Sequence, residues 1–223
     1  SLYEKRIFDS YNDFFTRKIR VEERPVNPDA NALVSPSDGK VSVYKIHENG
    51  HFLIKHTEYT LEQLLQDKKL AKRYLDGHIY VIRLTVDDYH RYCYAADGRK
   101  SEQRKIAGIL HTVNPVANDV CPIYKMNSRE YCLIKTERFG TLLQMEVGAL
   151  MVGKISNNQQ GLGFVHKGVE KGRFEFGGST IILLTQKNVV IPDRDLLEHT
   201  GSGMETLVKM GEQIGRSANR LDA

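Results

Sequence analysis

The sequence contains no tryptophan, and among its 223 residues there are only three cysteines and six prolines. No apolar run approaches the roughly 18 to 20 residues that a membrane-spanning helix needs. An odd cysteine count without paired spacing argues against a disulfide framework and points to a reducing compartment. Cys93, Cys121 and Cys132 form neither a Cys-x-x-Cys pair nor a cluster with histidine, so no metal is expected. No signal-peptide pattern opens the chain. Nucleic-acid motifs are missing too, and a pI near 8.8 falls short of a strong basic footprint.

What is present is a soluble globular composition, 40% hydrophobic and 27% charged, with a mild net charge of +4. Arg99, Lys100, Arg104 and Lys105 form the clearest basic cluster, either a solvated loop or an attraction to an anionic lipid surface. Ile7, Phe8, Tyr11, Phe14 and Phe15 recur at helical spacing within residues 1–20. Residues 60–75 predict a second helix, with Thr60 and Gln63 at capping-box spacing. Elsewhere short strands and glycine turns dominate: 41–46, 78–84, 131–135, 141–152, 174–176 and 180–185. The expected fold is α+β, one strand-rich domain over 1–223, with a barrel- or sandwich-like antiparallel core and a few peripheral helices.

Four segments carry candidate chemistry. Gly177-Gly178-Ser179-Thr180 leads two glycines into a serine at the head of an apolar run. That is either an ordinary glycine turn or a place where a serine hydroxyl can reach the preceding carbonyl carbon. Such an N-to-O acyl shift needs a base and an oxyanion partner. Ser35-Pro36-Ser37-Asp38-Gly39 is a turn with an acid at its tip, and Asp88-Tyr89-His90-Arg91 sets a histidine just beyond a strand. Asp38, His90 and Ser179 together hold the parts of a nucleophile–base–orienter set, which geometry alone recognises.

These segments resemble the phosphatidylserine decarboxylases. Gly177-Gly178-Ser179-Thr180 is similar to their self-cleavage motif, and Asp88–Arg91 to their Asp-Tyr-His-Arg segment. Pro36–Gly39 resembles their acidic turn. Tyr11–Arg17 with Arg24-Pro25 resembles their N-terminal signature. Phe139-Gly140, Glu146–Ala149 and Val152-Gly153 resemble the stretch before the cleavage site. The resemblance implies a proenzyme cut between Gly178 and Ser179 into a beta chain, 1–178, and an alpha chain, 179–223. Ser179 becomes a covalently held pyruvoyl group that condenses with the substrate amine and accepts electrons as CO₂ leaves. His90 inherits the return of a proton to the substrate, and Asp38 inherits the orienting acid of self-cleavage. Gly177 and Thr180 flank the site as supporting residues.

The family places its cleavage histidine three residues after the first histidine of that segment, where this chain has Cys93. Three readings follow: His90 performs both tasks, His111 swings in as base, or the chain is not processed. The leading substrate is phosphatidylserine, with a free amino acid or soluble amine as the alternative and an uncleaved lipid-binding homologue as a third reading. The expected partners are phospholipid and an anionic membrane surface, with no nucleic acid, and a homodimer stays open. The expected location is peripheral, on the cytoplasmic face of a membrane, with a membrane-facing segment upstream of Ser1 and the present chain itself soluble. Co-sedimentation with anionic vesicles should therefore be weak and lost at high salt, since exposed charges are screened over about 8 Å at physiological ionic strength. Tight binding that ignores salt would contradict the electrostatic part.

Overall fold

A computed structural model describes residues 2–4, 7–54, 57–109, 123–148, 154–175 and 179–218. In chain order the strands are β1 (Ala32–Val34), β2 (Gly39–Lys45), β3 (His51–Ile54), β4 (Thr57–Thr60), β5 (His78–Leu84), β6 (Arg91–Cys93), β7 (Gly98–Lys100), β8 (Arg104–Ile106) and β9 (Arg129–Lys135). They continue with β10 (Thr141–Val147), β11 (Ile155–Asn157), β12 (Gly163–Val165), β13 (Glu170–Phe174), β14 (Ser179–Thr185), β15 (Val190–Pro192), β16 (Thr206–Val208) and β17 (Gln213–Ser217). The helices are short: α1 (Tyr11–Phe15), α2 (Leu61–Leu65), α3 (Lys68–Ala71), α4 (Ile123–Met126) and α5 (Arg194–Gly201).

The main sheet runs β12-β7-β9-β10-β14-β5-β2-β16, with β8 also on β9. Its central pairs are all antiparallel. Smaller sheets are β11-β13-β6, β1-β17-β15 and β3-β4. This is the strand-rich α+β architecture that the pattern predicts. Among the described residues it is layered and open rather than a closed barrel.

Both faces of the main sheet are covered, which explains the unbroken apolar run of β14. Side chains alternate across a strand. Ile181 and Leu183 join Val41, Tyr80, Ile82, Tyr92 and Phe174 on one face. Ile182 and Leu184 join Leu61, Leu64, Val81 and Met145 on the other. Tyr92 and Phe174 come from the β11-β13-β6 sheet, so that sheet lies over the first face. Each fully buried side chain of this size contributes about 1.5–3 kcal/mol.

The helices are shorter than their spacing predicts. Thr60 caps α2 by accepting from Gln63 N at 3.2 Å, as the capping spacing requires. Gln66 then takes a left-handed φ of 50° and ends it. Asp67 restarts the chain as α3 by accepting from Leu70 N at 2.9 Å, because a short acidic side chain caps better than it continues a helix. At the amino end Ser10 caps α1 through Asp13 N at 3.1 Å, leaving Ile7 outside it.

The register matters most where β2, β5 and β14 meet. Lys40 opposes Arg83, which opposes Thr180, and Leu84 opposes Ser179. One step along the same register, Gly39, Leu84 and Ser179 form a single row across three adjacent strands. Gly39 has φ +149°, and a Cβ there would stand 2.7 Å from Arg83 O. A substitution therefore strains the backbone and pushes β2 off β5. Gly39→Ala should cost about 1–3 kcal/mol from the backbone conformation alone, lowering Tm by roughly 2–4 °C per kcal/mol in a chain of this size. A melting curve matching the parent would show that the row tolerates a side chain.

Candidate active site

Ser179 sits in that row, Asp38 directly precedes its Gly39 member, and His90 lies in the loop that follows its Leu84 member. Ser179 is its β14 member, fully buried, and its Oγ has no hydrogen-bond partner among the described residues. Leaving a buried hydroxyl unpaired costs about 1–3 kcal/mol, so an idle serine at the head of a wholly buried strand calls for a chemical role. Asp38 precedes Gly39 directly. His90 follows Leu84 by a tight turn in which Asp88 accepts from Thr85 N at 2.6 Å and from Thr85 Oγ1 at 2.9 Å. Gly177, Gly178 and His111 lie outside the described residues, as does Cys121.

His90 is buried, and its Nδ1 donates to the carbonyl of Asp88 at 2.8 Å. A carbonyl only accepts, so in the neutral ring Nε2 carries the lone pair. Phe15 of α1 packs on the imidazole at 4.1 Å between ring centroids. The same segment grips the neighbours of His90: Arg91 Nε donates to Thr16 O at 2.8 Å, and the Tyr89 hydroxyl meets the backbone of Ile19. Burial pushes that hydroxyl up to about 12.

Asp38 is held from two sides. Arg24 Nε and Nη2 reach Oδ1 and Oδ2 at 2.7 and 2.5 Å, and Met210 N donates to Oδ1 at 2.9 Å. A two-pronged Arg–carboxylate pair with both partners largely buried is the strong kind. Donating to Asp38 raises the Arg24 pKa further.

A family profile described as phosphatidylserine decarboxylase matches residues 11–216. The chain belongs to the phosphatidylserine decarboxylase family. It is 46% identical over 217 residues to the phosphatidylserine decarboxylase proenzyme 2 of Clostridium acetobutylicum, covering 97% of this chain and 74% of that protein. Relatives named phosphatidylserine decarboxylase proenzyme in Fusobacterium nucleatum and Clostridium perfringens are 42% and 41% identical, over 98% and 96% of this chain and 74% of each relative. The chain is thus an enzyme of the phosphatidylserine decarboxylase family.

Within this family member, Cys93 lies against the acidic turn. Its N–H donates to Pro36 O at 2.8 Å and its Sγ faces Ser35 O at 3.9 Å. Gln144 Nε2 donates to the Cys93 carbonyl at 2.9 Å. Complete burial pushes the thiol up to about 12, so at neutral pH it stays protonated. Thr180 points to the opposite face from Ser179. Among the described residues no group of three or more His, Cys, Asp or Glu is placed to hold a metal.

The sequence pattern assigned no role to three groups that the structure brings in: Arg24 on Asp38, Phe15 on His90, and the ion pair of Glu146 with Lys171. The signal for the last was present, since Glu146 is a charge in the otherwise uncharged strand Thr141–Val147. In the folded protein, Cys93 and Cys132 should resist a thiol reagent at about pH 8 and react only after unfolding, because a buried protonated thiol is a poor nucleophile. Labelling read by peptide mass spectrometry checks each cysteine separately, and native labelling of Cys93 would contradict its burial.

Proposed function

We propose that the chain is a proenzyme that cuts itself between Gly178 and Ser179 and then converts phosphatidylserine to phosphatidylethanolamine and CO₂. The observation that carries this reading is the buried Ser179 hydroxyl, without a partner among the described residues, in a row entered by the Asp38 turn and left by the His90 loop. The relatives' printed names supply the substrate. A cut there also suits the fold. β14 is hydrogen-bonded to β10 on one side and β5 on the other, so a new amino terminus at Ser179 stays seated in the sheet centre. The whole chain then acts as one catalytic domain made of the two pieces 1–178 and 179–223.

Ser179 fits conversion to a pyruvoyl group, being buried at a strand head with its hydroxyl uncommitted. Such a group supplies a ketone carbonyl that condenses with an amine and draws electrons from a departing carboxylate. His90 takes up a proton on the Nε2 lone pair and, as imidazolium, returns it to the substrate α-carbon, a contribution of roughly 10²–10⁴-fold. Phe15 shields the ring from water. Asp38, fixed by Arg24 and Met210 N, keeps the acidic turn in place for cleavage.

Peripheral contact with lipid belongs to the same proposal. Ile7, Tyr11 and Phe14 are exposed around the helix that carries Phe15 onto His90, and Arg17 lies over the Phe14 ring at 4.2 Å. Apolar surface flanked by a cation beside the site suits docking at an anionic bilayer. Among the described residues no helix is long and apolar enough to cross a membrane.

A denaturing gel with intact mass tests the central reading. The parent should give two chains, the smaller carrying a pyruvoyl terminus. Ser179→Ala should give one uncut, inactive chain, and cleavage persisting in it would remove the proposal. Cleaved His90→Ala protein should retain the pyruvoyl mass yet turn over about 10²-fold or more slower. Normal turnover would place the proton donor elsewhere.

A further inference from the structure

The proton on the Ser179 hydroxyl needs an acceptor, and the thiol at position 93 is a poor one. The sheet offers another group. Glu146 of β10 opposes Ile181 of β14. Ile181 and Ser179 are two residues apart on one strand and share a face, so Glu146 is the diagonal neighbour of Ser179. Diagonal neighbours sit about 7–8 Å apart, closer between Cβ atoms and within reach of a long side chain.

The carboxylate is built in rather than incidental. Glu146 and Lys171 are both fully buried and pair at 2.6 Å. Lys171 is the extra residue of a β-bulge between Glu170 and Gly172, where β13 shifts register against β6. Bulges re-aim side chains, and this one turns an ammonium inward. A Cβ on Gly172 would stand 2.3 Å from Ser156 O, so the bulge needs glycine there. Asn157 Oδ1 accepts from Lys171 Nζ at 2.7 Å, and Gln103 Nε2 donates to Glu146 Oε2 at 3.2 Å. All these partners meet Oε2 or Lys171. Oε1 of Glu146 is buried with no partner among the described residues, as is Ser179 Oγ.

We propose that Glu146 is the base of self-cleavage, its carboxylate taking the Ser179 Oγ proton. This rests on the self-cleavage reading above. Oγ forms a bond to the carbonyl carbon of Gly178 while the C–N bond between Gly178 and Ser179 breaks. The proton passes from Glu146 to the departing nitrogen, leaving an ester and a free amine. No external atom or electron is needed.

The surroundings make this carboxylate more basic than an exposed one. Burial raises its pKa, and Lys171 pulls it back. Lys171 faces it from β13 and Lys100 from β7, Glu130 and Cys132 from β9, and Tyr92 and Tyr94 from β6 and just beyond. Lys171 is a positioning residue that favours the ionised form against burial. Without it the acid keeps its proton to higher pH.

The test follows cleavage, not decarboxylation, on full chains made by cell-free synthesis and shifted into buffers from about pH 6 to about pH 9, a span set around ordinary side-chain titrations. Glu146→Gln preserves shape and should slow cleavage by about 10²-fold or more while near-ultraviolet circular dichroism shows native packing. Lys171→Gln should move the rise of the cleavage rate to higher pH. Parent-like cleavage by Glu146→Gln would overturn the proposal and return the task to His90 or His111, with the self-cleavage reading intact. If Glu146→Gln does not fold, Lys171→Gln decides: an upward shift supports the proposal and a profile superimposed on the parent's overturns it. A parent chain that never cleaves overturns both readings.

Discussion

The antiparallel register of β2, β5 and β14 is the constraint on which the rest of the site depends. It sets Gly39, Leu84 and Ser179 in one row, with the Asp38 turn entering the row and the His90 loop leaving it. A slip of one residue would move every side chain of β14 to the opposite face. Ser179 would then leave the face it shares with Glu146, and the apolar residues of β14 would exchange layers. Packing on both faces makes that slip costly, so the same burial that stabilises the sheet positions the chemistry.

Around this row the amino-terminal segment acts as a strap rather than a tail. Phe15 packs on His90, Thr16 accepts from Arg91, Ile19 meets Tyr89 and Arg24 clamps Asp38. These contacts put both polar members of the site under one stretch of chain. The exposed Ile7, Tyr11 and Phe14 sit on that same stretch. A surface that engaged them would press on the element that covers the histidine.

The Glu146–Lys171 pair is the costliest feature of the interior. Taking two charges out of water is repaid only by close geometry and further hydrogen bonds, and removing one partner of such a pair typically costs about 3–5 kcal/mol. Gln103 and Asn157 supply those bonds. Hydrophobic side chains of similar volume would fill the space with less penalty. A buried pair on the face that Ser179 shares is therefore better understood through its proposed role than through the stability it adds.

Much of this was legible along the chain. The alternating and continuous apolar runs marked the strands, Thr60 marked a helix start, and the ordered segments around Asp38, His90 and Ser179 marked the family. Those features are local: each depends on residue type at short spacing. The helix ends were not, because the Asp67 cap competes with a longer apolar pattern and prevails. Nor were the partners of the site. Arg24 reaches Asp38 across 14 residues and Lys171 reaches Glu146 across 25, separations that no periodicity encodes. The sequence alone determined a strand-rich decarboxylase-family chain with a serine at the head of an apolar run. Tertiary structure alone decided that the thiol at 93 is buried, that Arg24 holds the acid, and that a bulge turns a lysine onto a carboxylate on the face Ser179 shares, because register and burial, set by the whole sheet at once, choose which distant side chains share a face.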